Sequence, residues 1–396
     1  MTVTLTASDR SEARLRSVIQ PPGPLPPGTP PPHGPTAVDI ETRPGAGLAF
    51  AWPDTELTLE YAANIAKIDV ALDPPVLLLN NGRAAAAWWT QTLRLTLAEE
   101  ASYGHTSYLG LAPAAQLGPA PTPGGVPTIT YVPPASDVTI GSLRTIASAT
   151  WRIDARWNSS ASAYYEVAGG IDDISQLSVP RRHGPGGDVT ATYALEPTDD
   201  LATRVAASDT RVSATGGEFF TVAATETLTH RWSEATQGSV GAGLTFLRSR
   251  ASALFTFGYS VLPNGTASLS HTIPLESRST LTLTTSTGLG TGYNSAAGLV
   301  QYSASALGAA TWTRDPFGVT ATVSGGQSIR VRDVDPPVSR ALTGSLVASY
   351  RPVELIVFEI GARTSWQFSE DPRIGSYPAQ WVLFAAISLH APPLRF

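Results

Sequence analysis

The chain has 396 residues, 26 Lys+Arg against 32 Asp+Glu, and a formal net charge of −6. It is 15% charged, below the roughly 25% of an ordinary soluble domain. With no cysteine, disulfides, thiolate metal sites and Cys nucleophiles are ruled out; with one lysine, Lys67, and an acidic balance, so is a basic nucleic-acid footprint.

Although 42% of residues are apolar, no run approaches the roughly 18 to 20 apolar positions of a spanning helix. Residues 1–20 lack the apolar core of a secretory signal. Residues 21–35 (PPGPLPPGTPPPHGP) favour polyproline II, so 1–44 reads as a Pro-rich tail or linker and 45–396 as the folded unit. The first folded segment, 45–52 (GAGLAFAW), is an uncertain strand.

From there the pattern is period two, apolar against polar, which marks strands with one face buried. Leu57, Leu59, Tyr61, Ala63 and Ile65 form the first apolar row, and Leu93, Leu95 and Leu97 the next. A loop over 105–140 follows, Pro-rich through 111–134. From Leu143 to Trp157 one face carries Trp151, Ile153 and Trp157, and the other Arg144, Arg152, Asp154 and Arg156. The segment 253–261 is a second uncertain strand. Val300 to Trp312 and Phe317 to Arg332 alternate in the same way. So do Leu342 to Tyr350 and Trp381 to Leu389. Strands of globular proteins run about five or six residues, whereas these have the length of tilted membrane-spanning strands.

Tight links near 89–92, 158–159, 196–199, 233–236, 274–278, 313–316 and 351–353 alternate with longer loops, among them 67–76, 170–186, 209–217, 249–263, 290–298, 333–338 and 369–378. Short turns on one side and long loops on the other predict an all-β fold, a transmembrane antiparallel barrel of about 16 strands, or 18 if both uncertain segments span. The tryptophans fit two interfacial girdles: Trp52, Trp88, Trp89, Trp157, Trp232 and Trp312 beside short turns, Trp366 and Trp381 beside the last long loop. Only Trp151 falls mid-strand.

By phase, the lumen receives Arg94, Arg144, Arg152, Asp154, Arg156, Arg204, Arg330, Arg332, Glu359 and Arg363, with Glu60 and Arg231. Arginine predominates there. Such a lining either attracts anions or pairs with acids to stiffen the wall. Glu226 and His271 fall on the outward face unless bulges shift the register.

No motif assigns catalysis. Asp172, Asp173 and His183 match no protease spacing, the many serines supply Ser–His pairs by chance, and no GxxxxGK[ST], HExxH or EF-hand loop occurs. Neither an enzyme, nor a cofactor, nor a metal is expected.

The alternating strands, Trp-flanked turns and terminal Phe396 resemble the Gram-negative outer-membrane β-barrel class. GAGLAFAWPDTELTLEYA (45–62) is similar to the opening of barrels associated with exopolysaccharide loci. This resemblance implies an outer-membrane pore for solutes or an exported polymer. Its partners would be the lipid bilayer, lipopolysaccharide, the outer-membrane assembly machinery and periplasmic export proteins. The alternatives are a non-conducting scaffold barrel plugged by its tail or by loop 105–140, and a soluble secreted β protein.

Overall fold

The computed structural model describes residues 1–17, 36–70, 76–107, 137–213, 216–250, 258–275, 278–294, 299–330, 338–370 and 377–396. The Pro-rich segments 21–35 and 111–134 lie outside the described residues, as do Arg332 and most of the uncertain strand 253–261.

The chain is a closed antiparallel barrel of 18 strands. It runs through β1 (Thr2–Ser17), β2 (Thr36–Thr42), β3 (Gly45–Ala51), β4 (Thr55–Lys67), β5 (Leu77–Trp89), β6 (Leu93–Ser107), β7 (Asp137–Arg152) and β8 (Trp157–Gly170). A short helix, α1 (Asp173–Ser178), precedes β9 (Arg182–Glu196), β10 (Asp199–Val212), β11 (Gly217–Ser233), β12 (Thr236–Arg250) and β13 (Gly258–Leu275). Then come β14 (Ser279–Asn294), β15 (Leu299–Arg314), β16 (Phe317–Ser328), β17 (Ser339–Val353), β18 (Ile356–Ser369), β19 (Tyr377–His390) and the two-residue β20 (Leu394–Arg395). No helix among the described residues is long and apolar enough to cross a membrane.

β2 and β3 are two halves of one strand. Ser11 faces Thr42 and Ser8 faces Gly45 in unbroken register, with Arg10 and Arg43 exchanging backbone hydrogen bonds of 3.3 and 2.8 Å between them. Pro44 separates the halves because it has no N–H to give the ladder, while its carbonyl still accepts from the Ala63 amide at 3.0 Å. β1 closes the cylinder, paired with this strand on one side and with β19 on the other. Closure gives β1 a paired neighbour on both edges, as a strand that faces lipid requires.

Three sequence expectations are corrected here. Residues 1–44 are not a tail: 2–17 and 36–42 are wall. The count of 18 is reached with 45–51 and 2–17 as the added strands, while the described part of 253–261, residues 258–261, opens β13. Nor does the strand at Leu143–Trp157 keep its proposed limits. It begins at Asp137 and ends at Arg152, which moves the turn from 158–159 to 153–156.

Register fixes which residues point outward, since a one-residue slip would invert every side chain. The outer face is apolar along its height: Val240, Val261 and Ile360 are each about two-thirds exposed (66%, 65% and 66%). Trp88, Trp157, Trp232 and Trp312 share this face near the short turns. Trp151 joins them, because β7 ends one residue later. Nearby aromatics extend the belt, with Trp157 and Tyr193 rings 4.7 Å apart and Phe317 and Tyr350 rings 5.0 Å apart. Trp366 and Trp381 stand outward toward the long-loop end. Trp89 departs from the expectation: it shares the inward face with its register partner Arg94, whose guanidinium lies 5.9 Å from its ring.

Two elements turn into the mouth on the long-loop side. The segment carrying α1 folds over the rim so that Val179 packs on inward Leu79, Val138 and Ile140. The second is the end of the β14–β15 hairpin. Pairing of β13 with β14 stops at Gly265–Leu289 although both strands continue. Beyond that point Tyr302, with Leu289, Val300 and Ile329 beside it, packs on Leu247 and Leu262, which belong to the inward face of β12 and β13. The Tyr302 hydroxyl donates to the Pro263 carbonyl at 2.6 Å and fastens the hairpin.

Candidate functional site

The site is the inward face of the wall, and its charges sit in three groups. The largest follows the seam. Along β1, Arg10, Glu12, Arg14 and Arg16 recur every second residue and so share the inner face, opposite Asp39 and Glu41 of β2. Arg14 donates to Glu12 at 2.6 Å and also pairs with Glu41, while Arg16 donates to Asp39 at 2.7 Å. Arg10 pairs with Glu12 at 3.0 Å and with Glu359 of β18. Arg43 pairs with Glu41. Glu12, Arg14, Arg16, Asp39 and Glu41 are all buried. Charges held out of water persist where each is paired and hydrogen-bonded, and this network satisfies that condition.

The second group is wetter. Arg83 of β5 lies between Glu60 of β4 at 3.6 Å and Glu100 of β6 at 3.5 Å, all three about half exposed. They border a cavity of about 590 Å³ midway along these strands, lined also by Ser8, Gly45 and Ser102.

The third group spans β7 to β10. Arg182 pairs with Glu166, and Arg204 donates to Asp188 at 3.3 Å. Asp188 also accepts from the Ser162 hydroxyl at 2.5 Å. Arg144 stacks on the Tyr164 ring, 4.6 Å from its centroid. Across from this wall stand Thr291, Gly292 and Val300 of the in-turned hairpin, enclosing a cavity of about 240 Å³ with Arg144, Tyr164, Glu166 and Arg182. Gly184 lets the wall close up here, since a Cβ at that position would come within 1.7 Å of the Asp209 carbonyl.

Of the expected lumen residues, register places Arg94, Arg144, Arg152, Arg204, Glu359 and Arg363 on the inward face. Asp154 and Arg156 are corrected: they sit in the exposed turn after β7, not in the wall. There the Asp154 carboxylate accepts from the Arg156 and Trp157 amides at 2.7 and 2.8 Å, which holds its pKa below the usual carboxylate value. Arg330 lies beyond the end of β16.

The outward polar residues need no bulge. Glu226 accepts from the Thr203 hydroxyl at 2.8 Å, and His271 bonds the Thr236 hydroxyl at 2.7 Å, in unbroken register. Asp172 caps α1: its carboxylate takes the Ser175 amide at 2.7 Å and the Ser175 hydroxyl at 2.9 Å. These bonds lower its pKa.

Sequence reasoning missed the seam network, although Arg10, Glu12, Arg14 and Arg16 carry the period-two signal. It also missed the lumen acids Asp39, Glu41, Glu100, Glu166 and Asp188 that offset the arginines.

Among solved structures the chain is similar to the FrpB iron transporter of Neisseria meningitidis. For the F5-1 variant the TM-score is 0.53 at 10% identity, over 94% of this chain and 64% of that one. For its apoprotein form the score is 0.54 at 10% identity, over 92% and 62%. The chain therefore spans less than two thirds of the length of these relatives. OccK2 (OpdF) of Pseudomonas aeruginosa scores 0.49 at 12% identity, over 98% of each chain. The likenesses to FrpB show the fold alone. No curated protein matches the sequence. A family model for exopolysaccharide export, EpsX, matches residues 1–390. The chain is an outer-membrane β-barrel that sits in the lipid bilayer, and it belongs to the EpsX exopolysaccharide export family.

Proposed function

We propose that the barrel is the outer-membrane conduit through which an exopolysaccharide chain leaves the cell. Family membership over residues 1–390 carries this reading. The width supports it, since barrels of 16 to 18 strands leave an aqueous channel. So does the lining, where hydroxyls and paired charges offer a polymer many exchangeable hydrogen-bond partners. The outer-membrane assembly machinery would insert the barrel, and periplasmic export proteins would meet its short-turn rim.

Deleting the gene in a polysaccharide-producing host should abolish polymer release to the medium and raise the periplasmic pool. Unchanged release would overturn the conduit.

A second reading is a non-conducting scaffold barrel. It is favoured by the two elements turned into the mouth, α1 and the β14–β15 end. Planar-bilayer recording separates the two: steady conductance supports the conduit, and its absence the scaffold. Most inward arginines stand in ion pairs, so an open pore should prefer chloride over potassium only weakly. Arg94, Arg144 and Arg152, for which no carboxylate within 4.0 Å is found among the described residues, would supply that preference.

A further inference from the structure

The cavity between the in-turned hairpin and the β7–β9 wall has one feature that the ion-pair groups lack. Arg182 and Arg204 are each matched by a carboxylate. Arg144 is not. Its guanidinium is stacked on Tyr164, and its buried Nε has no hydrogen-bond partner. Stacking fixes the plane of the group where Arg144 lines the cavity. A planar guanidinium edge matches a carboxylate, which it can bind through two parallel hydrogen bonds. A buried donor without an acceptor costs roughly what a lost hydrogen bond costs, so an anion reaching this edge gains more than one reaching an arginine already paired.

Building on the conduit reading, we propose that this cavity is a subsite for a carboxylate-bearing sugar residue, a hexuronate unit of the passing polymer, with Arg144 as its anion-binding group. The surroundings suit a sugar. Ser208 and Thr221, whose hydroxyls lie 2.7 Å apart, line the same space and can hydrogen-bond ring hydroxyls. On the far side Gly292 leaves room, for a Cβ there would meet nothing within 4 Å. The Arg182 guanidinium neutralises Glu166 next to Arg144, and Glu100, opposite Arg144 on β6, lies 3.5 Å from Arg83.

Calorimetric titration of the full chain in detergent with sodium glucuronate, and separately with glucose, tests the assignment. Glucuronate should bind at least about tenfold more tightly than glucose. Arg144→Ala should weaken glucuronate by about tenfold or more, Arg144→Lys should fall between, and Val240→Ala, on the outward face of the wall, should bind as the parent does. Gly292→Trp, which fills the space from the hairpin side, should abolish binding and tests the site even if Arg144→Ala fails to fold. No glucuronate binding, equal affinity for glucose, or full affinity in folded Arg144→Ala would each overturn the subsite. Because this is an equilibrium measurement, loss of the conduit in the secretion experiment with glucuronate binding intact sinks the conduit alone; secretion that depends on the gene with no glucuronate binding sinks the subsite alone.

Discussion

Arg363 on β18 stands 3.5 Å from Glu12 on β1, although β19 runs between their strands. The Arg363 guanidinium crosses above the Phe384 ring of β19, 4.2 Å from its centroid. One carboxylate thereby serves Arg10 and Arg14 of its own strand and Arg363 of β18, and joins β1 to β18 across β19.

Glu12→Ala should therefore be among the most destabilising single changes in the wall. Removing one partner of a buried charged set typically costs about 3–5 kcal/mol. The measurement is the urea midpoint of the detergent-folded protein, followed by heat-dependent gel mobility. A midpoint equal to that of the parent would mean that the seam is held by its backbone ladder alone.

Deleting residues 1–17 should prevent closure. β3 and β19 would each lose the neighbour that satisfies their edge groups, and an unpaired edge in lipid is not tolerated. The truncated chain, exported with a working signal, should show no difference in mobility between boiled and unboiled samples. A normal shift would show that β19 can pair directly with β2 and β3.

The two faces of β16 should respond oppositely to charge. Ala321 points to lipid, so Ala321→Arg should cost roughly 2–4 kcal/mol near the midplane. Thr322 points inward, with its hydroxyl 2.6 Å from that of Ser345. Thr322→Arg should cost far less, because its charge stays in water. Comparable urea midpoints for the two variants would refute the phase assigned to β15 through β17.

Tyr302→Ala should release the hairpin. It removes both the bond to the Pro263 carbonyl and the ring that anchors Leu289 and Val300 on β12 and β13. Single-channel conductance should rise. Tyr302→Phe, which loses the hydroxyl alone, should give a smaller rise. If Tyr302→Ala conducts as the parent does, the hairpin end is not the narrow point.

The Asp172 cap gives a pH signature. Its carboxyl has a folded pKa below the ordinary value of about 3.9, so the cap contributes fully above that value. Its contribution falls away as pH drops through the lowered folded value. Hydrogen exchange at the Ser175 amide should be slow at neutral pH and accelerate only on that acid side. Asp172→Asn should exchange at a rate independent of pH in this range, apart from the intrinsic chemistry.

Much of the barrel could be read from periodicity, because an outward apolar row with water on the other side leaves a period of two in the sequence. Val319, Ala321 and Val323 against Thr320, Thr322 and Ser324 are the plain case. The first strand was hidden for a physical reason. Its outward row is interrupted by Asp9 and Ser11, which are satisfied by Thr42 across the register at 2.9 and 3.0 Å, and that pairing is invisible before the strands are aligned. The in-turned hairpin end was hidden for another reason. Val300, Tyr302 and Leu289 have the pattern of lipid-facing residues, yet the hairpin tips so that this same apolar face meets Leu247 and Leu262. Periodicity reports that a face is apolar, but not which apolar surface it meets.

The pairing of Ser8 with His390 sets an order of events during assembly. These residues are 382 positions apart, so the seam that finishes the structure is also among its most non-local contacts. Closure entropy rises only slowly with the length of the loop, but topologies dominated by such distant pairings form slowly. Until β19 arrives, Arg10 and Glu12 wait with one neighbour missing, and the growing sheet exposes two adhesive margins. A helper that shields either margin should speed maturation more than one that acts on any hairpin between them.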